Sequence, residues 1–285
     1  MNILLTNDDG INAPGLKVAQ EIADSLAGTV GQVTTVAPAS EKSGVAHSTS
    51  YIRPCLIEKI GEKSYSLEGT PADCILAGIY YVLKDNRPDL IISGINRGQN
   101  ISEDVLYSGT IGAAMEGAIH GIKSIALSQS YSKKPLRSKD EFNSARSHAT
   151  KVCQKLISDN PFIEDTFNGF YNVNFPACDA AKVKGVQICR TGLRRESSFS
   201  MTSQILPTRM FYLLVRFVMS SFSMTSQISP TGKTFLWVKH NPIDSMPCPK
   251  SDSEYLGAGY ITISALKTEL NWIEKNNNLI SLFEE

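Results

Sequence analysis

The stretch Asn2-Ile3-Leu4-Leu5-Thr6-Asn7-Asp8-Asp9-Gly10 combines a short apolar run with two adjacent carboxylates. A short apolar run that ends at polar residues is typical of a buried strand, so the pattern predicts a strand over Asn2–Thr6. Asp8 and Asp9 then lie just beyond the carboxyl end of that strand. In an open α/β sheet, ligands bind at this edge.

Outward from this stretch, helical and strand patterns alternate over the first two-thirds of the chain. The predicted helices are Pro14–Ala27, a helix capped by Thr70 with Pro71 at N1 and Asp73 at N3, Gly109–Ile122 and Glu141–Ile157. The predicted strands are Val33–Ala37, a hairpin or excursion formed by Tyr51–Ile57 and Ser64–Leu67, Asp89–Ser93, Ser124–Ser128 and Gly169–Asn174. This alternation predicts an α/β fold with a doubly wound, mostly parallel sheet, followed by a C-terminal β-hairpin extension.

The last third of the chain contains an internal repeat. Ser197–Ile205 recurs identically as Ser220–Ile228, 23 residues later, and the similarity continues more weakly beyond each copy. Two copies are too few for a solenoid, so we interpret the repeat as an added hairpin arm or an insert. We therefore divide the chain into an α/β catalytic domain over 1–190 and an extension over 191–285 that holds the duplicated arm, a final strand and a tail helix.

Composition limits the class of protein. The chain has 285 residues, 42% of them apolar, and 28 basic residues balance 28 acidic ones. A protein that binds nucleic-acid backbone normally has a basic excess, so we expect no nucleic-acid partner. The first residues show no basic region followed by an apolar stretch, so we expect no secretory leader. The longest apolar run, Met210–Met219, is too short to span a bilayer and contains Arg216. The six cysteines form no CxxC pair. We therefore expect free thiols, a cytoplasmic location and no membrane partner.

The Asp8–Asp9 pair has two interpretations. Adjacent carboxylates repel each other, and a hard divalent cation commonly relieves that repulsion. An Asp-Asp-Gly sequence is also a common solvated turn. A haloacid-dehalogenase-type phosphatase fits poorly, because that mechanism uses Asp-x-Asp and here the two aspartates are adjacent.

Later segments should bring further ligands to the same edge. Ser43 follows the second strand and Asn96 follows the third, and both offer neutral oxygens that suit Mg²⁺ or Mn²⁺ beside two aspartates. Ser108-Gly109-Thr110 opens a helix, where hydroxyls and free backbone N–H groups form a phosphate cradle. Each segment alone is more often a turn or a cap, but together they favour a site for one metal and a phosphate.

These segments also resemble a known family, the SurE metal-dependent nucleotidases. The motifs that carry the resemblance are Leu5–Gly10, Ala37-Pro38 through Ser43-Gly44 to His47-Ser48, Gly69–Cys74, Ser93–Gly98, and Ser108-Gly109-Thr110 with Ala113, Glu116 and Gly117. They cover residues 1–130 densely, and weaker matches continue beyond.

The resemblance implies a metal-dependent hydrolysis of nucleoside monophosphates to nucleoside and phosphate. It implies metal ligation by Asp8, Asp9, Ser43 and Asn96, and phosphate contacts from Asn96 and Ser108-Gly109-Thr110. The aspartates are then the catalytic residues, and one of them accepts the proton of the attacking water. The resemblance further implies a homodimer or homotetramer formed through the C-terminal arm.

The chain departs from the family pattern at a few places, and alternatives stay open there. Ala46 stands where glycine often precedes the His-Ser pair, Ala39 replaces a usual acidic residue, and the repeat lengthens the arm. His47 is either a proton donor to the leaving group or a residue that orients a ligand. Two other functions remain: a broader phosphomonoesterase or short-chain polyphosphatase at the same site, or a non-catalytic nucleotide-binding module.

Overall fold

The computed structural model describes residues 1–131, 136, 138–158, 169–193 and 248–269, together with the backbone of segments 201–203, 223–228 and 234–239. The strands are β1 (Asn2–Thr6), β2 (Gln32–Pro38), β3 (Ile57–Gly61), β4 (Ser64–Leu67), β5 (Leu90–Arg97), β6 (Lys123–Gln129), β7 (Gly169–Phe175), β8 (Val186–Ile188), β9 (Met201–Ser203), β10 (Ser223–Ile228), β11 (Thr234–Lys239) and β12 (Ile261–Lys267). The helices are α1 (Pro14–Ala27), α2 (Pro71–Ala77) continued by a π-helical turn (Gly78–Val82), α3 (Gly109–Ile119), α4 (Asn143–Ser158) and α5 (Asp252–Gly257), with 3₁₀ turns at Ser102–Leu106 and Ala180–Lys182.

A nine-stranded sheet in the order β3-β4-β2-β1-β5-β6-β7-β12-β8 organises the molecule. Strands β4, β2, β1, β5, β6 and β7 run parallel, whereas β3 and β12 pair antiparallel with their neighbours β4 and β7. The chain passes from β1 to β2 on one side and later returns to β5 on the other. The strand order therefore reverses between β1 and β5, which is where ligands bind in open α/β sheets. The predicted α/β fold class is confirmed.

Side chains of the central strands alternate between the two faces of this sheet. On β1, Ile3 and Leu5 join the apolar core that includes Leu16 of α1 and Ala145 of α4. Leu4, between them, joins the core on the other face, which contains residues of α2 and α3. Successive strand residues point to opposite faces, so a strand covered on both faces needs a continuous apolar run. This explains why the amino-terminal run is apolar throughout.

The predicted hairpin is correct in its second strand and wrong in its first. Ser64–Leu67 is a strand, but its antiparallel partner is Ile57–Gly61 and not Tyr51–Ile57. Pro54 lies inside the predicted segment and lacks the N–H that a strand interior needs. The two-residue turn at 62–63 instead joins strands in direct succession.

The C-terminal part is described only in pieces. Strands β10 and β11 pair antiparallel, and β9 pairs parallel with β10. The last strand β12, from the segment assigned to the extension, lies inside the main sheet between β7 and β8. The division at residue 190 stays a prediction. The tail helix and most of the duplicated arm lie outside the described residues. Among the described helices, none is both long and apolar enough to cross a bilayer.

Candidate functional site

The two carboxylates after β1 lie against the amino terminus of α3. The Thr110 hydroxyl donates to Oδ1 of Asp8 over 2.6 Å, and its backbone N–H donates to Oδ2 over 3.2 Å. Asp8 is only 3% exposed and Thr110 is fully buried. Gly109 permits this approach, since a Cβ atom there would lie 3.0 Å from Cβ of Asp8. The positive end of the α3 dipole therefore faces a buried carboxylate.

These favourable contacts do not compensate for the burial of Asp8. Burial and the neighbouring charge of Asp9 raise the pKa of Asp8 from its ordinary value of 3.8 to about 7, although both Thr110 hydrogen bonds favour the ionised form. A carboxylate that is costly to ionise marks a place where positive charge is missing.

Asp9 has the same direction of shift and different surroundings. Burial raises its pKa, and the negative charge of Glu41 adds to this, while the backbone N–H of Arg97 donates to Oδ2 over 3.0 Å and acts in the opposite sense. The Arg97 guanidinium itself is held by a bidentate pair with Glu141, at 2.9 Å for both contacts. Asp9 is partly exposed, so of the two carboxylates it is the one that solvent reaches.

Ser43, the third predicted ligand, lies on the loop after β2. The N–H of its neighbour Lys42 donates to the carbonyl oxygen of Asp8 over 2.7 Å, which ties the loop to the residue after β1. The Ser43 hydroxyl donates to Glu41 over 3.0 Å. Glu41 was not predicted as part of the site; an acidic residue two positions before a candidate ligand was the available signal.

Asn96 lies near the end of β5, and its side-chain amide donates to the carbonyl oxygen of Gly98 over 2.9 Å. A buried network holds the loop that follows. The Asn100 N–H donates to Oδ1 of Asn174 and its side-chain amide to Ser128, both over 2.8 Å. This network keeps the loop of Asn96 against the ends of β6 and β7. The three side chains lie on separate strands or loops, so sequence reasoning did not connect them.

The segment predicted as a phosphate cradle, Ser108-Gly109-Thr110, lies at the amino terminus of α3, and two of its side chains have other partners there. Ser108 caps α3, because its hydroxyl oxygen accepts from the Ile111 N–H over 3.2 Å. Both Thr110 donors reach Asp8, so Thr110 supports the carboxylate. Gly109 lies between them and is the first residue of α3. The backbone N–H groups in the first turn of a helix have no acceptor within the helix, so that of Gly109 can donate to a ligand.

The donor set suits a hard divalent cation. In the described part of the chain, no cluster of three or more His, Cys, Asp or Glu side chains forms a metal site. Neutral oxygens would therefore complete the coordination of a cation held by Asp8 and Asp9. The candidates are Ser43, on the loop after β2, and Asn96, near the end of β5. The raised pKa of both aspartates is itself the observation that favours a cation, because a bound positive charge would stabilise their ionised forms.

Comparison with known proteins agrees with this architecture. A family model described as "Survival protein SurE" matches residues 3–198. A protein of Ruegeria pomeroyi named 5'-nucleotidase SurE is 42% identical over 270 residues, 95% of each chain. One of the same name from a Jannaschia species is 40% identical over 286 aligned positions, 100% of each chain. The crystal structure of the SurE protein from Aquifex aeolicus superimposes with a TM-score of 0.74, at 29% identity and 99% coverage of both chains.

The matched family model spans more than half of the chain, and the similar proteins extend over nearly all of it. Asp8, Asp9, Ser43 and Asn96 all lie inside the matched region. The chain belongs to the SurE family.

Proposed function

We propose that this protein hydrolyses the phosphomonoester bond of nucleoside 5'-monophosphates, releasing nucleoside and inorganic phosphate. The observation that carries the proposal is the Asp8–Asp9 pair, whose pKa values are raised at the reversal point of the sheet and at the amino terminus of α3. The name of the similar proteins, 5'-nucleotidase, supports the substrate class.

Asp8, Asp9, Ser43 and Asn96 would hold one divalent cation, Mg²⁺ or Mn²⁺. When bound, such a cation supplies neutralisation of phosphate charge and activation of water. The chain's own contribution is to keep these ligands in place. Thr110 orients Asp8 through two hydrogen bonds, and the Lys42 N–H fixes the Ser43 loop to the backbone of Asp8.

Within this proposal, Asp9 accepts the proton of the attacking water. Both oxygens of Asp8 already accept hydrogen bonds from Thr110, and Asp8 is buried. Asp9 is partly exposed, with Oδ2 accepting from the Arg97 N–H. A raised pKa brings a carboxylate closer to the operating pH, where a general base works best.

The phosphate would bind where the α3 amino terminus and the Asn96 loop meet. Ser108, Gly109 and Thr110 provide the helix end, whose dipole favours an anion. Preorganised backbone donors are effective because they need no rearrangement as charge develops on the phosphoryl oxygens.

A substrate panel tests this proposal. Phosphate release is measured with nucleoside 5'- and 3'-monophosphates, a sugar phosphate, p-nitrophenyl phosphate and short polyphosphate, each with Mg²⁺, Mn²⁺ or EDTA. We expect the highest kcat/KM for a nucleoside 5'-monophosphate and no turnover in EDTA. Equal rates for all monoesters would support the broader phosphomonoesterase instead. No turnover with any metal, together with retained nucleotide binding, would support the non-catalytic module.

We also propose self-association through the C-terminal arm, as a homodimer or homotetramer. The arm contains the paired strands β10 and β11, which among the described strands join β9 and not the main sheet. A small sheet needs an apolar face or packing against another element to be stable in water, which favours burial of this sheet against another surface. Light scattering on the full chain and on a variant lacking the arm would measure the state directly.

A further inference from the structure

A line of hydrogen bonds runs along α3, away from the reacting groups assigned above. Nε2 of His47 contacts Oε2 of Glu116, whose other oxygen lies 2.9 Å from Nε2 of His120. Nδ1 of His120 lies 3.1 Å from the Tyr80 hydroxyl. Glu116 is 7% exposed, and none of the roles assigned so far explains why a carboxylate is buried there.

His47 belongs to the same loop as Ser43, and this loop packs directly on α3. The Ala46 N–H donates to the carbonyl oxygen of Tyr107 over 2.9 Å. Gly112 leaves the necessary space, since a Cβ atom there would lie 2.4 Å from the carbonyl oxygen of Ala46 and 2.9 Å from Cα of His47. The loop backbone is thus in close contact with the helix just before His47 reaches Glu116.

The loop adopts a costly backbone conformation at this point. Ala46 has a φ of +53°, in the left-handed region, where a residue with a Cβ atom is less stable than glycine by about 1–2 kcal/mol. Contacts elsewhere in the loop must compensate for this cost. The bond from His47 to Glu116 is the contact immediately next to the strained residue.

The charge of Glu116 is maintained by its two partners. Hydrogen bonding from His47 holds the pKa of Glu116 below its ordinary value despite burial, and His120 acts in the same sense. A neutral His120 with its proton on Nε2 satisfies both neighbours, because Nδ1 then accepts from Tyr80. Arg87 donates to the carbonyl oxygen of His120 and completes the polar surroundings. Glu116 is therefore an ionised acceptor available to His47.

We propose that Glu116 is a positioning residue: through His47 it holds the loop that presents Ser43 to the site. The consequence for catalysis rests on the function proposed above. The Lys42 N–H on Asp8 holds the loop just before Ser43, and His47 on Glu116 holds it four residues beyond Ser43. Thr70 and Asp73 anchor the segment that follows, at Ser48 and Ser50. Glu116 lies seven residues beyond Gly109, about 10 Å along the helix axis. Because Glu116 engages Nε2 of His47, we assign His47 to orientation of the loop and not to protonation of the leaving group.

The test compares the full-length protein with Glu116→Gln, His47→Ala and His47→Gln. Mn²⁺ affinity is measured by calorimetry with the metal alone, and amide exchange is measured for residues 42–48. Loss of a residue that orients a metal ligand typically weakens metal binding by about 10–100-fold. We expect about tenfold weaker Mn²⁺ binding and faster amide exchange in the loop for Glu116→Gln and for His47→Ala. A variant that combines the two substitutions should bind Mn²⁺ no more weakly than either single variant, because both act through one contact. His47→Gln keeps a donor for Glu116 and should retain most of the affinity.

Asp89→Ala is the control for a purely structural effect. It removes the acceptor of the Asn2 N–H, at the end of β1 opposite to Asp8, so it should lower the melting temperature and leave Mn²⁺ affinity unchanged. Adding Ala46→Gly to Glu116→Gln should recover part of the lost affinity, because glycine removes the strain at this position.

Several results would overturn the proposal. If both Glu116→Gln and His47→Ala keep the Mn²⁺ affinity and the amide exchange rates of the wild type, the contact between His47 and Glu116 does not position the loop. A loss of kcat in His47→Gln with unchanged Mn²⁺ affinity would identify His47 as the proton donor. If the wild-type protein neither binds Mn²⁺ nor releases phosphate, the proposed function fails, and exchange of the 42–48 amides still decides whether Glu116 anchors the loop.

Discussion

Asp8 and Asp73 are both buried aspartates beside the first turn of a helix, yet their environments have opposite effects. Asp8 follows β1 and faces α3, whereas Asp73 is the third residue of α2 and belongs to a capping box with Thr70. Burial would raise the pKa of Asp73 too. Backbone and side-chain hydrogen bonds from Thr70 and Ser50 outweigh it and hold that pKa below its ordinary value.

The difference between the two regions lies in how their charge is balanced. Asp73 receives several hydrogen bonds and has no carboxylate beside it in sequence, so its ionised form stabilises the fold. Asp8 receives two hydrogen bonds from Thr110 and has Asp9 next to it, so its ionised form destabilises the fold until positive charge arrives. We therefore predict that Asp8, whose charge its protein neighbours leave unbalanced, is the functional carboxylate, and that Asp73, whose charge is balanced by hydrogen bonds, is a structural one.

The largest expected effect is on turnover. Asp8→Asn and Asp9→Asn should each lower metal-dependent kcat/KM by about a thousandfold, because each removes a charged cation ligand and Asp9→Asn also removes the proton acceptor. Phosphate release at saturating Mn²⁺ measures the loss, with circular dichroism to show that the variants fold. Asp73→Asn should stay within a few-fold of wild type. Near-normal turnover in both Asp8→Asn and Asp9→Asn would show that these carboxylates are no more important for catalysis than Asp73.

The next effect concerns stability without metal. An acid whose pKa is raised on folding lowers the free energy of unfolding as the pH rises. For Asp8 this loss begins near pH 4, where the unfolded chain ionises, and is complete near pH 7, where the folded protein ionises. About three pH units correspond to about 4 kcal/mol. In EDTA, Asp8→Asn should therefore become more stable than wild type as the pH rises across this window, by up to that amount. Urea unfolding at several pH values measures the difference, and Mn²⁺ should stabilise wild type more than the variant. A pH-independent difference would contradict the raised pKa.

The capping carboxylate should behave in the opposite way. Asp73→Asn should destabilise the protein by about 1–2 kcal/mol at neutral pH, as expected for a weakened helix cap. Because the pKa of Asp73 is lowered on folding, its contribution is present above the ordinary value of 3.8 and is lost as pH falls through the folded value. Thermal unfolding of wild type and variant should therefore converge in acid. A variant that is as stable as wild type at pH 7 would show that the capping box contributes little.

The smallest effect is expected from a deletion in the repeat, which contains neither Asp8 nor Asp73. Deleting 197–219 removes the first copy of the repeat and leaves the second copy, which forms β10, to continue into β11. Long surface insertions cost little in closure entropy, about 0.6 kcal/mol for each doubling of length. We expect a folded, metal-dependent enzyme with a changed oligomeric state or substrate preference at most. Thermal unfolding and phosphate release test this, and an unfolded product would show that the first copy belongs to the core.

Local patterns in the sequence were enough to predict the fold class and to propose where the site lies. Continuous apolar runs predicted parallel strands buried on both faces, and the Thr70-Pro71-Ala72-Asp73 sequence predicted the observed helix start. Because the carboxyl ends of parallel strands share one edge, the order of strands and polar residues along the chain was enough to predict one site from residues after β1 and β2 and near the end of β5. These inferences depend on residues close together in sequence, where propensity and periodicity act.

Tertiary structure alone decided which polar groups meet. Thr110 was predicted as a phosphate donor, but in the structure both its donors reach Asp8, 102 residues earlier in the chain. His47 and Glu116 are 69 residues apart, and no local pattern links them. The opposite pKa shifts of Asp8 and Asp73 likewise depend on burial and on partners brought together by folding. Charge balance in a buried site depends on distances through space, and a one-dimensional pattern of residue types does not contain them.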